Sequence, residues 1–417
     1  MTKLPPNAVI LSFEGPDPYS MVGGLGVRVT QLSAALGDAG IATDLFFVGD
    51  PDRDGIEMRS KRVRLRRWSQ WISRYHPAGV YDGEYGKVPD YASSVPPVVC
   101  ADIVAPARDR GEHVLIIGED WHTAPAVIQL DADLRRWGLR DSVTLLWNAN
   151  NTYGFHGIEW PRLTAAATIT AVSKYMKFEL AQIGIGALVI PNGIPSELVR
   201  RHDKASVKRL RAALGPKRAL LKVGRYDPDK RWLQAIDAVA DLRADGSEVV
   251  LVMRGGREPY GSVVLDRARA RGLEISGVEM REGTPAELAA ALAERHADVI
   301  ELRTFVPDTT LAALYGAVDA VLANSGREPF GLVGLEVMAA HGIPVCGSTG
   351  EDYAAPFENA IVCDSADPRE LAGYLRLLFA DSKLRKRLRH AARETAARYV
   401  WPEILQILAA KLAFLQS

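Results

Sequence analysis

Short apolar runs rich in β-branched residues alternate with amphipathic segments along almost the whole chain, and this alternation limits the possible folds most. One amphipathic segment places Leu25, Val29, Leu32 and Leu36 on a single helix face. Strands that alternate with helices predict parallel sheets with helices on both faces. The predicted strands are residues 8–13, 43–48, 114–117, 143–147, 168–172, 188–190, 219–223, 248–253, 298–302, 319–323, 343–346 and 360–363.

The series of strands breaks at the turn-rich stretch 191–195, which contains two prolines and a glycine. A chain of 417 residues is also too long for one hydrophobic core. We therefore predict an α/β fold of two doubly wound, Rossmann-like domains, residues 1–195 and 196–398. Residues 399–417 are predicted to form a closing helix with one apolar face, made of Ile404, Leu408, Leu412 and Leu415.

The charge balance argues against a polyanionic partner, because Lys+Arg and Asp+Glu both number 51. No apolar run approaches the roughly 18–20 residues that span a bilayer, and the N-terminus lacks the pattern of a signal peptide. Cys100, Cys346 and Cys363 are far apart in sequence and are expected to be free thiols. These features predict a cytoplasmic protein without a membrane span and without a nucleic-acid partner.

Residues 324–342 carry the most specific functional signal. Gly331 and Gly334 lie where a helix is expected to begin after a strand, and a glycine-rich turn into a helix suits a phosphate group. Glu328 precedes this helix and Glu336 lies inside it, so each carboxylate could accept hydrogen bonds from sugar hydroxyls. The combination indicates a sugar nucleotide as ligand.

A second glycine-rich turn, Gly23-Gly24-Leu25-Gly26, follows the first strand and opens the first helix. Such a turn permits close approach to a phosphate, and it also serves simply to connect a strand to a helix. The fingerprint of dinucleotide-binding domains is not matched, since positions 28 and 29 are Arg and Val. This argues against a simple NAD-binding domain.

Two further strand ends carry candidate site residues. His122 follows the strand 114–117, at the end where open α/β sheets bind ligands, although a lone histidine is more often structural. Arg225 and Lys230 follow the strand 219–223 and could clamp a diphosphate, or they could belong to a solvated loop. Three Asp-x-Asp pairs are explained by chance among 51 acidic residues, so no metal ion and no cofactor are expected.

Residues 57–97 fit the alternation poorly, because six basic residues are followed by seven aromatic or histidine side chains. Three interpretations remain open. The segment could be a solvated basic strand with an aromatic helix that packs on the domain, an acceptor site that stacks on sugar rings, or a nucleic-acid surface. In the acceptor interpretation, the acceptor site contains Trp68, Trp71 and Tyr75, together with Asn150.

Taken in order, these motifs resemble the GT-B fold retaining glycosyltransferases, in particular the large family that includes glycogen and sucrose synthases. The resemblance covers essentially the whole chain. It rests on Gly23-Gly24-Leu25-Gly26, Asp120-Trp121-His122-Thr123, Val172-Ser173-Lys174, Ile190-Pro191-Asn192-Gly193, Gly224-Arg225 with Lys230, Glu328-Pro329-Phe330-Gly331-Leu332 with Glu336, and Trp401. One departure is Met21, where bacterial glycogen and starch synthases carry a lysine, which weakens the case for a glycogen synthase.

The resemblance implies two Rossmann-like domains that face a cleft, with a final helix that returns to the first domain. It implies a nucleotide-sugar donor, with Arg225 and Lys230 on the diphosphate, Glu328 on the donor sugar and Glu336 on the ribose. The donor site would also include Gly23, Gly24, Asn192, Phe330, Gly331 and Leu332. His122 would line the sugar pocket and, with Glu328, Arg225 and Lys230, complete the catalytic set.

The predicted function is therefore the metal-independent transfer of a hexose, with glucose the best guess, to a hydroxyl acceptor with retention of configuration. A glycosidase-like mechanism is not favoured, because no second carboxylate is clearly partnered with Glu328. Front-face displacement, in which the departing diphosphate helps deprotonate the acceptor, is preferred. The alternatives are a nucleotide-sugar epimerase, a phosphorylase with pyridoxal phosphate, and a catalytically silent sugar-nucleotide-binding protein.

Overall fold

The computed structural model describes residues 4–200 and 203–416, which form two compact units. Unit 1 consists of Met1–Gly193 and Tyr399–Ser417, and unit 2 of Ile194–Arg398. Each unit contains its own mainly parallel sheet, covered by helices. In the part of the chain that is described, no helix has the length and apolar character needed to cross a membrane.

The strands and helices are numbered along the chain. The strands are β1 (Asn7–Leu11), β2 (Ala42–Val48), β3 (Ile56–Met58), β4 (Val63–Trp68), β5 (Val114–Glu119), β6 (Val143–Ala149), β7 (Thr168–Ala171), β8 (Leu188–Val189), β9 (Arg218–Val223), β10 (Val249–Arg254), β11 (Ile275–Val278), β12 (Val299–Leu302), β13 (Ala320–Ala323), β14 (Pro344–Cys346) and β15 (Ile361–Val362). The α-helices are α1 (Gly24–Asp38), α2 (Gln70–Ser73), α3 (Glu84–Val99), α4 (Ala105–Asp109), α5 (Ala124–Arg136), α6 (Trp160–Ala166), α7 (Lys174–Gln182), α8 (Ser196–Arg200), α9 (Lys204–Ala213), α10 (Trp232–Ala244), α11 (Tyr260–Ala270), α12 (Pro285–Ala293), α13 (Asp308–Ala317), α14 (Leu332–Ala339), α15 (Pro368–Ala380), α16 (Ser382–Ala397) and α17 (Trp401–Gln416).

The sheet of unit 1 has the order β3-β4-β2-β1-β5-β6-β7-β8, and only the β3–β4 pair is antiparallel. Parallel strands end at the same edge of a sheet, so the segments that follow β1, β5, β6 and β8 lie near one another. This edge carries the polar residues described below.

The helices α1 and α17 cover one face of this sheet with their apolar sides. The predicted apolar face of α1 is buried in the core of unit 1. This core also contains Trp401, Ile404, Leu408 and Leu412 of α17. Leu415, which was expected on the same face, is 38% exposed. The closing segment therefore completes the core of unit 1.

The sheet of unit 2 has the order β11-β12-β10-β9-β13-β14-β15, and all of its strands are parallel. Its strands are buried on both faces, as parallel sheets require. Leu220 belongs to the core beneath α10, α11 and α15, whereas its neighbour Leu221 belongs to the core beneath α9, α12 and α13. Because the strands are parallel, the carboxyl ends of β9, β10, β12 and β13 lie at the same edge of this sheet.

The predicted fold class is confirmed as two Rossmann-like units, and each of the twelve predicted strands is present to within two residues at either end. Three strands were not in that series. β4 contains three arginines, Arg64, Arg66 and Arg67, instead of a continuous apolar run, and β3 and β11 are short strands at sheet edges. β3 and β11, with three and four residues, are too short to predict from pattern alone.

Candidate functional site

Unit 2 brings together the turn after β9 and the loop after β13. Lys230 in the turn and Glu328 in the loop form an ion pair, with Nζ and Oε2 2.5 Å apart. The N–H of Gly326 donates to the carbonyl of Asp229 at 2.6 Å, which ties the loop to the turn. Both charged side chains are partly exposed, at 27% and 20%, so a ligand can reach the pair.

Arg225 lies in the same turn but is exposed, and its guanidinium forms no ion pair with any residue that the structure describes. Its carbonyl accepts a hydrogen bond from Nε1 of Trp232 at 2.8 Å, which fixes the backbone. The structure thus places Arg225 and Lys230 on one turn, with only Lys230 engaged by Glu328. A free guanidinium beside this pair is available to an anionic ligand.

The helix α14 begins beside the ion pair. Gly331 caps it in the left-handed conformation, with φ of 76°, and Leu332 is its first residue. Phe330 is buried and its ring contacts Tyr353, with ring centroids 5.8 Å apart. The first N–H groups of such a helix attract anions.

Glu336 lies on the second turn of α14 and is half-buried. Removal from water raises the pKa of Glu336 to about 7, and the negative charge of Asp308 acts in the same direction. The carboxyl group is therefore poised to titrate near neutral pH, and it can donate or accept a hydrogen bond.

A cavity of about 530 Å³ opens at the carboxyl ends of β9, β10 and β12. This volume suits a nucleoside, since small-molecule sites commonly measure about 300–1,000 Å³. The cavity was not predicted from the sequence. The arginines that follow several strands of unit 2 could have indicated an anion-binding site at this edge of the sheet. The lining of the cavity includes Tyr226, Arg254, Arg257, Arg281, Arg303 and Phe305.

A buried lysine supports the start of the loop after β13. Lys222 on β9 donates hydrogen bonds from Nζ to the carbonyl of Leu322 at 3.1 Å and to Oδ1 of Asn324 at 2.7 Å. Asn324 in turn donates to Oε1 of Gln234 at 2.7 Å. Burial, with a smaller effect from the charge of Lys230, lowers the pKa of Lys222 to about 7.

In unit 1, the glycine-rich turn before α1 surrounds a carboxylate. The N–H groups of Val22, Gly23 and Gly26 donate to Oε2 of Glu14 at 3.2, 3.1 and 3.0 Å. A Cβ atom added at Gly23 or Gly24 would meet nothing within 4 Å, so packing does not require glycine at these two positions. Glu14, which sequence reasoning missed, thus occupies part of the turn that was predicted to receive a phosphate.

The motif after β5 holds two buried side chains, His122 and Asp120, with polar atoms that lack hydrogen-bond partners. The ring of His122 stacks between Phe13 and Trp121, at centroid distances of 4.2 and 3.7 Å, and neither ring nitrogen is hydrogen-bonded. Burial lowers the pKa of His122 to about 3, so the imidazole is neutral. The carboxyl oxygen Oε1 of Glu84 lies 3.4 Å from Nε2.

Asp120 adopts a φ of 66°, which is uncommon for a residue other than glycine and is associated with functional sites. Its Oδ2 accepts a hydrogen bond from Asn151, whereas the buried Oδ1 has no partner. Burial and the charge of Glu119 raise the pKa of Asp120 to about 8. The group is therefore mainly protonated at neutral pH and can donate a hydrogen bond.

Glu119 connects two of the predicted site residues. Its carboxylate accepts hydrogen bonds from Nε of Arg28 at 3.1 Å and from Nδ2 of Asn150 at 2.7 Å. Arg28 also donates to Oδ1 of Asn192. Asn150, predicted for the acceptor, and Asn192, predicted for the donor, therefore belong to one buried network around Arg28 and Glu119.

The segment 57–97 forms a strand and helices, but the strand is not solvated. Arg66 and Arg67 are buried and paired with Asp44 and Asp17 at 2.6 and 2.7 Å. The interpretation of a solvated basic strand is wrong for these two arginines, because their charges are neutralised inside the unit. Less positive charge is therefore left for a nucleic-acid surface.

The three aromatic residues predicted for the acceptor lie in different environments. Trp68 is partly buried, and its Nε1 donates to Oγ of Ser94 at 2.6 Å. Trp71 and Tyr75 are 63% and 79% exposed. Only the last two offer a free aromatic face.

The acidic, histidine and cysteine side chains do not suggest a metal centre. Among residues 4–200 and 203–416, no three of them lie together in a way that could hold an ion. Cys100, Cys346 and Cys363 are buried free thiols.

Comparison with known proteins shows that the chain is similar in sequence to glycosyltransferases. Residues 208–395 match the family model for glycosyl transferases group 1. The chain is 24% identical over 416 residues to a D-inositol 3-phosphate glycosyltransferase of Geodermatophilus obscurus, with 93% of this chain and 84% of that protein covered. A relative of the same name in Thermobispora bispora is 30% identical over 220 residues, with 51% of this chain covered. That match spans about half of the relative, or 47% of its length.

Two solved structures share the fold over nearly the full length. Sucrose-phosphate synthase from Thermosynechococcus elongatus has a TM-score of 0.68 at 21% identity, with 99% of this chain and 100% of that chain covered. HepE from Anabaena, solved with UDP-glucose, has a TM-score of 0.64 at 17% identity, with 98% and 99% covered. The predicted GT-B fold is thereby confirmed.

Proposed function

We propose that this protein transfers glucose from a nucleoside-diphosphate sugar to a hydroxyl group of a phosphorylated acceptor, a proposal that the match of residues 208–395 to the family model for glycosyl transferases group 1 supports. The transfer retains the anomeric configuration and needs no metal ion. The observation that carries the proposal is the Lys230–Glu328 pair before α14, at the same carboxyl-end edge of the unit 2 sheet as the arginine-lined cavity.

The donor is proposed to bind in unit 2. The nucleoside would occupy the 530 Å³ cavity, with Glu336 on the ribose. Arg225, Lys230 and the first N–H groups of α14 would hold the diphosphate, since all three carry positive charge or partial positive charge. Glu328 would accept hydrogen bonds from the donor sugar once the diphosphate takes over Lys230.

The chemical step proceeds by front-face displacement. The bond from the anomeric carbon to the diphosphate oxygen breaks while the bond to the acceptor oxygen forms on the same face. The acceptor proton passes to the departing diphosphate oxygen. Lys230 and Arg225 stabilise the negative charge that develops on this leaving group. In this proposal the two cationic side chains neutralise the charge that a metal ion neutralises in other enzymes.

Unit 1 is proposed to supply sugar contacts of its own. The neutral His122 and the protonated Asp120 present buried polar atoms without partners, and such atoms are costly unless a ligand bonds to them. Trp71 and Tyr75 are proposed for the acceptor because their exposed rings can stack on a sugar. A phosphorylated acceptor is supported by the names of the two inositol phosphate glycosyltransferases and of sucrose-phosphate synthase.

The test is product analysis on purified protein. UDP-, ADP- and GDP-glucose would each be incubated with inositol phosphate, glucose 6-phosphate and fructose 6-phosphate, with the unphosphorylated alcohols as matched controls. We expect mass spectrometry to detect a hexosylated phosphate, NMR to show the donor's anomeric configuration, and EDTA to leave the rate unchanged. Conversion of the donor without any acceptor would instead indicate an epimerase or a hydrolase.

A further inference from the structure

The loop after β14 places a second carboxyl group near Glu328. Glu351 is 94% buried, with a relative exposure of 6%, and its Oε1 has no hydrogen-bond partner. Its Oε2 lies 3.5 Å from Oγ1 of Thr349, and this hydroxyl accepts the N–H of Glu328 at 2.9 Å. The N–H of Gly350 donates to the carbonyl of Glu328 at 2.8 Å. The loop that carries Glu351 is therefore bonded to the backbone of Glu328.

Gly331 shows how closely the two carboxyl side chains approach. A Cβ atom added at Gly331 would lie 2.7 Å from Cγ of Glu351 and 3.2 Å from Cγ of Glu328. Both side chains thus flank the residue that caps α14. The cap is also in the left-handed conformation, so glycine is required there for two reasons.

The charged and titratable groups that face Glu351 are Glu328, Lys230, Cys346 and Tyr353. Burial raises the pKa of Glu351 to about 8, the charge of Glu328 acts in the same direction, and Lys230 opposes it weakly. Burial also raises the pKa values of Cys346 and Tyr353, so both remain neutral. At neutral pH, Glu351 is therefore mainly uncharged.

We propose that Glu351 is a positioning residue of the donor site, whose uncharged carboxyl group leaves Lys230 and the start of α14 available to an anionic diphosphate. If Glu351 were ionised, it would place a second carboxylate beside Glu328, compete for Lys230 and repel the phosphates. This inference rests on the proposed function, because it assumes that a nucleoside diphosphate binds in unit 2.

The consequence is a loss of affinity at alkaline pH. A ligand that favours the protonated form of Glu351 binds tightly below the pKa of about 8 and more weakly above it. Glu351→Gln has nearly the same shape and no charge at any pH, so it should retain the affinity. Glu351→Ala removes the same charge and carries the test if glutamine is not tolerated.

The experiment is calorimetric binding of UDP, ADP and GDP to the full chain between pH 7 and 9.5, above the ionisation of the phosphates. For whichever nucleotide binds, we expect the wild type to lose about tenfold in affinity across this range, and Glu351→Gln to lose less than threefold. The matched control is Glu358→Gln, which removes an exposed charge from the same loop and should behave as the wild type.

An equal pH dependence in the wild type and Glu351→Gln would overturn the role of Glu351 and leave the proposed function intact. If none of the three nucleotides bound the wild type at any pH, the proposed function would fail, and this inference with it. Thermal unfolding of each variant distinguishes a lost fold from a lost charge.

Discussion

At the residue scale, Lys230 is the cation on which the proposed donor site should depend most, because it is paired with Glu328. We expect Lys230→Ala to lower kcat/KM about 100-fold or more, equivalent to about 2.7 kcal/mol of transition-state stabilisation. Steady-state kinetics, with the donor and acceptor that the proposed product analysis selects, measures this effect. Lys208→Ala, on the exposed side of α9, is the matched control. If the Lys230→Ala protein were fully active, Lys230 would have no role in the proposed mechanism.

Asp120 supports a second prediction, about stability and pH. Its folded-state pKa of about 8 lies above the value of about 3.9 in an unfolded chain, so folding takes up a proton between these values. The stability of the wild type should therefore fall between pH 4 and 8, by at most about 1.4 kcal/mol per pH unit from this group.

Asp120→Asn abolishes that proton uptake while it preserves the shape of the side chain. Its stability relative to the wild type should increase from pH 5 to pH 8 and stay level above pH 8. Urea unfolding at several pH values, followed with a probe in unit 1, gives the comparison. A constant difference across this range would mean that Asp120 is already ionised in the folded protein.

Several residues of the candidate site could not be predicted from the sequence. Glu14, Glu119 and Glu351 are single acidic residues among many, and only their burial and their partners set them apart. By contrast, the Glu328–Glu336 segment and the turn of Arg225 and Lys230 were predicted because strand ends and glycines mark them. Local pattern identifies loops at strand ends, whereas partners distant in sequence become visible only in the structure.

At the element scale, α17 contributes to unit 1 through Trp401. This side chain is 3% exposed, and its Nε1 donates to Oε1 of Gln31 at 3.1 Å. A Cβ atom added at Gly193 would lie 2.5 Å from the tryptophan ring, so the ring packs directly on the backbone. The contact joins α17, α1 and the segment after β8.

We expect Trp401→Ala to destabilise unit 1 by about 3–5 kcal/mol, the usual cost of removing a buried large aromatic side chain. Differential scanning calorimetry measures the change. Gln406→Ala, on the exposed face of the same helix, should have little effect. An unchanged melting temperature for Trp401→Ala would show that α17 is not part of the core of unit 1.

Most elements could be predicted because burial on both faces gives parallel strands continuous apolar runs. β4 could not be predicted in this way, because two of its buried side chains are charged. Arg66 pairs with Asp44 and Arg67 pairs with Asp17 inside the unit. Such pairs join β4 to other segments of unit 1, so neither partner looks unusual in the sequence. The segment 57–97 was ambiguous for this physical reason.

At the scale of the whole molecule, the chain builds unit 1 from two separate pieces and unit 2 from one continuous piece. The core of unit 1 includes α17, which is made of the last residues described. The two cores of unit 2 are formed entirely within residues 194–398. The stability of unit 1 therefore depends on the C-terminal helix, and that of unit 2 does not.

Removal of residues 399–417 should consequently act on one unit alone. Without α17, the apolar face of α1 and the neighbouring strands lose their cover, and the buried area that stabilises them is exposed to water. We expect hydrogen exchange, resolved by peptide, to show lost protection in residues 4–193 and native protection in residues 203–398. The same protein should still bind the nucleoside diphosphate, because the contacts proposed for the nucleoside and for the diphosphate lie in unit 2. Equal loss of protection in both segments would contradict this division and would show that the two units unfold as one.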